Sequence, residues 1–94
     1  MRVRWTRQAL HRLDEIGDHI ALDNPAAASR VVAAIWQKVE TLGSYPLLGR
    51  VGRVAGTREL VISGTPYLVA YRVRGRQVAV LAVFHGAQRW PATL

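Results

Sequence analysis

The stretch VFHGAQRWP, residues 83 to 91, brings side chains of several chemical classes close together. Histidine titrates nearest to neutrality, so His85 could act as a general acid or base. Gln88 could orient a base or a ribose hydroxyl, Arg89 could hold a phosphate, and Trp90 could stack on a nucleobase. The same stretch also fits a structural role, in which the polar groups of His85 are hydrogen-bonded at a strand end and Trp90 covers the sheet edge.

Arginine accounts for most of the positive charge, and it is distributed unevenly along the chain. Of the 13 basic residues, 12 are arginine, and the formal net charge is +7. Residues 1 to 49 hold six basic and five acidic side chains, whereas residues 50 to 94 hold seven basic side chains and only Glu59 as an acid. Because arginine binds phosphate and carboxylate through two parallel hydrogen bonds, we expect an anionic partner for the second half. The alternative is that this charge only maintains solubility.

Cleavage of RNA through its 2′-hydroxyl would require a base, an acid and cations that offset the charge of the phosphorane. His85 is the candidate acid or base, and Arg58, Arg72 and Arg89 are the candidate phosphate ligands. Adjacent antiparallel strands could bring Arg72 and the end of the last strand onto one sheet face. These four residues form the predicted catalytic set.

The segment GSYPLLGRVGRVAG, residues 43 to 56, contains four glycines and reads as a loop. Its glycine spacing does not match a phosphate-binding or dinucleotide-binding loop. It presents Arg50 and Arg53 on a flexible backbone, which suits the approach of a large anionic partner. We therefore predict that these two arginines bind the partner together with Gln88 and Trp90.

Length and composition exclude several classes of protein. A chain of 94 residues, half of them hydrophobic, predicts one globular domain over residues 1 to 94 with a small core that a permanent partner would stabilise. Without cysteine there is no disulfide, thiolate zinc site or cysteine nucleophile, and we expect no metal or cofactor. Neither a secretion signal nor a membrane-spanning run is present, so we expect a cytoplasmic protein.

The helices that would position these residues lie in the first half of the chain. Thr6 suits a helix N-cap, and apolar residues then recur at spacings of three and four to about residue 22. Asn24 and Pro25 predict the start of a second helix, which Gly43 would end in a left-handed cap. Because the linker is short, we expect a helical hairpin.

The remaining residues predict strands. An alternating pattern over residues 2 to 5 indicates a short first strand, and residues 57 to 63, 67 to 73 and 77 to 85 follow with turns between them. Tyr67 and Tyr71 alternate with valine, so we expect them to face the core. The sequence predicts an α+β fold of order β-α-α-β-β-β, with the helical hairpin on one face of a small, mostly antiparallel sheet.

This order and five local motifs resemble the RelE/ParE toxins of bacterial type II toxin–antitoxin modules. The motifs are the Asn24-Pro25 helix start, YPLLGR at 45 to 50, RELVI at 58 to 62, YLVAYRV at 67 to 73, and VFHGAQRWP. The resemblance spans nearly the whole chain. It implies growth arrest as the function and, as the partner, a cognate antitoxin whose acidic or amphipathic segment covers the toxin.

The resemblance implies two alternative targets. One branch of the family cleaves mRNA on the ribosome, and the other inhibits DNA gyrase without nuclease residues. The usable chemistry around His85 favours the nuclease by a small margin. Against it, Leu68 stands where the nuclease branch usually has arginine, and its acidic or lysine helpers and terminal tyrosine have no clear match. A plain nucleic-acid-binding module ranks third, because it would need exposed aromatic platforms or a recognition helix.

Overall fold

A computed structural model describes all 94 residues, and its two helices begin where their capping residues predict. Helix α1 spans Arg7–Ala21, and the Thr6 side chain accepts a hydrogen bond from a backbone N–H of its first turn. Helix α2 spans Pro25–Glu40, and Asn24 caps it in the same way. The short connection folds the two helices into a hairpin. Neither helix combines the length and apolar character needed to cross a lipid bilayer.

The strands form one five-stranded sheet in the order β1-β5-β4-β3-β2. They are β1 Arg2–Trp5, β2 Arg50–Val51, β3 Arg58–Val61, β4 Tyr67–Arg74 and β5 Gln77–His85. β1 runs parallel to β5, and every other neighbouring pair is antiparallel. Two helices packed on a mixed sheet confirm the predicted α+β fold. The short strand β2 is an addition to the predicted order.

The main core lies between the helical hairpin and one face of the sheet. It contains 14 buried residues, among them Ile16 and Ile35 from the helices and Val69 and Val80 from the sheet. Burial of one such side chain contributes about 1.5–3 kcal/mol relative to exposure. Tyr67 and Tyr71 also belong to this core, which confirms that they face the helices.

The opposite face of the sheet carries no helix, and we call it the open face. A small apolar cluster of Ala70, Ala82 and Phe84 lies on it, beneath Trp90 and Leu94 from the end of the chain. Trp90 therefore packs on the face of the inner strands β4 and β5, whereas the sequence suggests, as the alternative to a binding role, that it covers the sheet edge. The C-terminal segment therefore shields one part of the open face, and the part formed by β1 and the adjoining ends of β4 and β5 stays uncovered.

The predicted left-handed cap at Gly43 is absent, because positive φ angles occur only at Gly56, Gly64 and Gly75. Instead, α2 continues into a 3-10 turn over Thr41–Gly43. Glycine is required at position 43 for another reason: a Cβ there would lie 2.9 Å from the carbonyl oxygen of Met1. Close packing against the first strand thus explains a glycine that resembles a helix stop.

Candidate functional site

Two groups of arginine side chains occupy the open face of the sheet. The first, the Glu59 cluster, consists of Arg50 and Arg53 around Glu59. The second, the arginine cleft, is an open concavity of about 600 Å³. Its lining residues are Arg2, Arg72, Arg74, Arg76, Gln77, Ala79 and Leu81. The two groups share one residue type, but only the first contains a carboxylate.

The arginine cleft follows from the register of three adjacent strands. On β5, Gln77 pairs with Arg2 of β1 on one side and with Arg74 of β4 on the other. Ala79 pairs in the same way with Arg4 and Arg72. Because side chains alternate between the two faces of a strand, these arginines all point away from the helices. The small side chain of Ala79 leaves the floor lower than the arginine walls.

No negative charge balances the arginines of the arginine cleft. None of its lining residues is acidic, and none of its four arginines takes part in an ion pair. Only the Arg72 guanidinium has a partner, since its Nε donates a hydrogen bond of 3.3 Å to the carbonyl of Gly56. Arg76 enters the cleft from the β4–β5 turn, where Gly75 has a φ of +60°. The cleft therefore has the electrostatics of an anion site.

In the Glu59 cluster, by contrast, a buried carboxylate accepts hydrogen bonds from both arginines. Glu59 is only 2% exposed. Its oxygens accept hydrogen bonds of 3.1 Å from Arg50 Nη2, 3.0 Å from Arg53 Nε and 2.8 Å from the Arg53 backbone N–H. Burial raises the pKa of Glu59, but the hydrogen bonds from Arg53 and Arg50 together outweigh it and lower the pKa below its ordinary value of 4.5.

The Glu59 cluster also ties the C-terminal segment to the sheet. The Arg53 guanidinium carbon lies 3.9 Å from the centre of the Trp90 ring. Trp90 in turn stacks on Phe84 with ring centres 4.1 Å apart. This arrangement is a cation–π contact on top of an aromatic stack. Arg53 and Trp90, both predicted as binding residues, thus contact each other in the structure.

Arg58, predicted to hold a phosphate, is hydrogen-bonded in the structure to the loop before β2. Its Nη1 donates a hydrogen bond of 2.7 Å to the carbonyl of Gly49. The neighbouring Tyr71 hydroxyl donates to the carbonyl of Pro46 at 2.7 Å and accepts from the Gly49 N–H at 2.8 Å. Burial raises the pKa of Tyr71, although the Gly49 hydrogen bond and the charge of Arg58 oppose the shift. Both side chains anchor the backbone.

His85 lies at the end of β5 on the face that carries the helices. Its ring meets Tyr67 edge to face, with ring centres 5.5 Å apart. Its Nδ1 accepts a hydrogen bond of 3.1 Å from the Ala87 N–H, and its backbone N–H donates to the Gln88 side-chain oxygen at 3.3 Å. The first bond leaves Nε2 as the free ring nitrogen. Gln88 thus closes the turn, and Arg89 is exposed beyond it.

The structure separates Arg72 from His85, two members of the predicted catalytic set. Arg72 pairs with Ala79, six positions before His85 on β5, and at about 3.3 Å per residue this separates the two by roughly 20 Å. They also lie on opposite faces of the sheet. The sequence did not single out Arg2, Arg74 or Arg76 as site residues, although the alternation of arginine with apolar residues on β1 and β4 carried the signal.

A mixed five-stranded sheet with a helical hairpin on one face places the chain among small α+β folds. The family model described as the ParE toxin of the type II toxin–antitoxin system parDE matches residues 3–90. The chain therefore belongs to this family, and it is the toxin of a type II toxin–antitoxin module. A cognate antitoxin is accordingly its partner.

Similar proteins agree with this family over almost the full length. The Y4kP protein of Sinorhizobium fredii is 52% identical over 93 residues, which is 99% of this chain and 96% of that protein. Toxin RelE2 of Caulobacter vibrioides is 35% identical over 86 residues, which is 92% of this chain and 96% of that toxin. A structure of the chromosomal ParDE toxin–antitoxin system from P. aeruginosa matches with a TM-score of 0.81 and 32% identity, covering 90% of this chain and 95% of that one.

Proposed function

We propose that this toxin arrests growth by binding DNA gyrase rather than by cutting mRNA. The observation that supports this proposal is the separation of His85, the candidate acid or base, from the four arginines of the arginine cleft. The resemblance to RelE/ParE toxins offers both targets, and a toxin that acts by binding needs no converging catalytic groups. Since gyrase is a cytoplasmic enzyme, we place the action of the toxin in the cytoplasm.

The contacts of the candidate residues argue against efficient RNA cleavage. A cleaving site needs an acid–base group and cations around one phosphate. Near His85 the only arginine in sequence is the exposed Arg89, while Arg58 is hydrogen-bonded to backbone carbonyls. Leu68, which stands where the nuclease branch usually has arginine, is 8% exposed and pairs with Phe84. An apolar contact thus fills the place of a phosphate ligand.

A binding mode of action fits the remaining surface. The arginine cleft offers four guanidinium groups without ion-pair partners. Gyrase acts on DNA, so its substrate complex presents a dense array of phosphates. Positive charge of this kind accelerates encounter with such a complex and strengthens binding to it.

Ribosome-dependent cleavage of mRNA is the second candidate, and one observation favours it. His85 Nε2 makes no hydrogen bond, and the side chain is only partly buried. Because Nδ1 accepts a hydrogen bond, the neutral ring carries its proton on Nε2, which could protonate the leaving 5′ oxygen of an RNA bound at the C-terminal end of β5. In this alternative Arg89 would hold the phosphate.

Induced expression without antitoxin distinguishes the two candidates. We expect filamentation and DNA-damage signalling while transcripts stay intact. The His85→Ala and Arg89→Ala variants should retain toxicity, as should the control His11→Ala, whose histidine is exposed on α1. Rapid loss of translation with cut transcripts, abolished by His85→Ala but not by His11→Ala, would establish the nuclease. An absence of any growth effect would contradict both targets.

A further inference from the structure

We propose that the arginine cleft binds the phosphate backbone of duplex DNA. This inference rests on the proposed function in one respect, because DNA is the substrate of gyrase. It goes further by assigning a ligand class to residues of β1, β4 and the β4–β5 turn. Its support comes from the shape, the charge and the composition of the cleft.

The shape fits a phosphate chain that runs across the strands. Arg2 and Arg74 stand on either side of Gln77, each in register with it. Adjacent strands are about 4.8 Å apart, and β5 lies between β1 and β4. The backbones of Arg2 and Arg74 are therefore roughly 10 Å apart. Arg72 and Arg74 are two positions apart on β4, which spaces them by about 6.6 Å on the same face. The guanidinium groups can therefore engage several phosphates at once.

The charge distribution directs an anion to this side of the molecule. Five of the six acidic residues lie between positions 14 and 40, on the helical hairpin or its connection. The sixth is Glu59, which is buried and bonded to Arg50 and Arg53. No acidic side chain lines the cleft, so none competes there for its arginines. Arginine presents a planar fork of donors that matches phosphate oxygens in pairs.

The composition of the cleft favours a nucleic-acid duplex over a single strand or a protein, and the proposed gyrase target makes that duplex DNA. Single-stranded nucleic acid is held largely by stacking on aromatic side chains, and the cleft has none. A protein partner would require an apolar anchor, but the only hydrophobic lining residues are Ala79 and Leu81. A duplex offers phosphates without requiring either contact. Recognition is then independent of base sequence.

Fluorescence anisotropy with a short, labelled DNA duplex of mixed sequence tests this proposal. The cleft variant Arg2→Ala/Arg74→Ala is compared with the control Arg7→Ala/Arg30→Ala, whose arginines are exposed on the helices. Each variant lowers the net charge from +7 by two. Circular dichroism melting verifies that both are folded.

The cleft variant should bind the duplex about tenfold or more weakly at about 100 mM salt, and its salt slope should fall by about two. The control should stay close to the unmodified protein. Equal losses in the two variants would reduce the effect to net charge and overturn the proposal. Tighter binding of a single strand or of polyglutamate than of the duplex would overturn it in favour of those ligands.

The result also separates this inference from the proposed target. If duplex binding depends on the cleft but the protein leaves gyrase unaffected, the cleft assignment stands and the gyrase target fails. If the cleft variant inhibits gyrase as strongly as the unmodified protein and both bind the duplex equally, the cleft assignment alone fails.

Discussion

The two arginine groups on the open face differ in one neighbour, and that neighbour decides what each group does. In the Glu59 cluster, a carboxylate that is 2% exposed takes the hydrogen bonds of Arg50 and Arg53. In the arginine cleft, the residue at the corresponding central position is the uncharged Gln77 or Ala79. The first group stabilises the fold, whereas the second keeps its charge for a ligand. Residue type alone does not separate these roles.

The largest expected effect comes from Glu59→Gln, which removes the negative charge but keeps the shape. The amide presents donors to two arginines, so the unfolding free energy should fall by about 2–4 kcal/mol. Urea unfolding followed by tryptophan fluorescence measures the loss. Glu15→Gln is the control, because that carboxylate is 52% exposed and 3.9 Å from His11. A loss no larger than that of the control would contradict a structural role for the Glu59 cluster.

Protonation of Glu59 at acidic pH should lower the unfolding free energy for the same reason as Glu59→Gln. Its pKa is lowered in the folded protein, so the folded state binds fewer protons than the unfolded state in the acidic range. The contribution of Glu59 is therefore full above pH 4.5 and disappears as the pH falls through the folded pKa. The difference in unfolding free energy between the unmodified protein and Glu59→Gln should shrink in this window. A difference that stays constant as the pH falls would refute the linkage.

Trp90→Ala tests the contact between the Glu59 cluster and the C-terminal segment. It removes the stack on Phe84 and the cation–π contact with Arg53, so we expect a loss of about 1–3 kcal/mol in unfolding free energy. Trp90→Phe retains an aromatic face and should lose less than half as much. Duplex DNA binding should be unchanged in both, because Trp90 does not line the arginine cleft. Weakened DNA binding by Trp90→Ala would connect the two regions that we regard as separate.

The smallest effect on stability should come from the arginine cleft itself. Arg2→Ala/Arg74→Ala removes two exposed side chains without ion pairs, so the unfolding free energy should change by no more than about 0.5 kcal/mol. Relief of repulsion between like charges acts in the stabilising direction. Thermal and urea unfolding provide the measurement. A loss as large as that of Trp90→Ala would assign these arginines a structural role.

Most of the fold could be predicted, because capping residues and alternating apolar residues determine where its helices and strands lie. Thr6 and Asn24 cap the helices as their residue types suggest, and Tyr67 and Tyr71 face the core as their alternation indicates. Gly43 departs from its pattern because a distant carbonyl, that of Met1, excludes a side chain there. The short strand β2 was missed because glycines surround it.

The site was harder to predict, because its members meet only through long-range pairing. β1 joins β5 in parallel across more than 70 positions of sequence, and that pairing puts Arg2 beside Gln77. The alternating residue pattern of a short, isolated strand does not show which other strand it pairs with. The proximity of His85 to arginine in sequence was a poor guide, since β5 carries His85 and the cleft to opposite ends and opposite faces. The partners of Glu59 likewise could not be predicted without the register of β2 and β3.

A gyrase supercoiling assay tests the central claim most directly. Purified protein is added to gyrase, relaxed plasmid and ATP, with Arg2→Ala/Arg74→Ala and Arg7→Ala/Arg30→Ala in parallel. We predict that the unmodified protein and the helix variant inhibit supercoiling, and that the cleft variant requires a concentration about tenfold or more higher. Unimpaired supercoiling at concentrations where the unmodified protein cleaves mRNA on purified ribosomes would contradict the account.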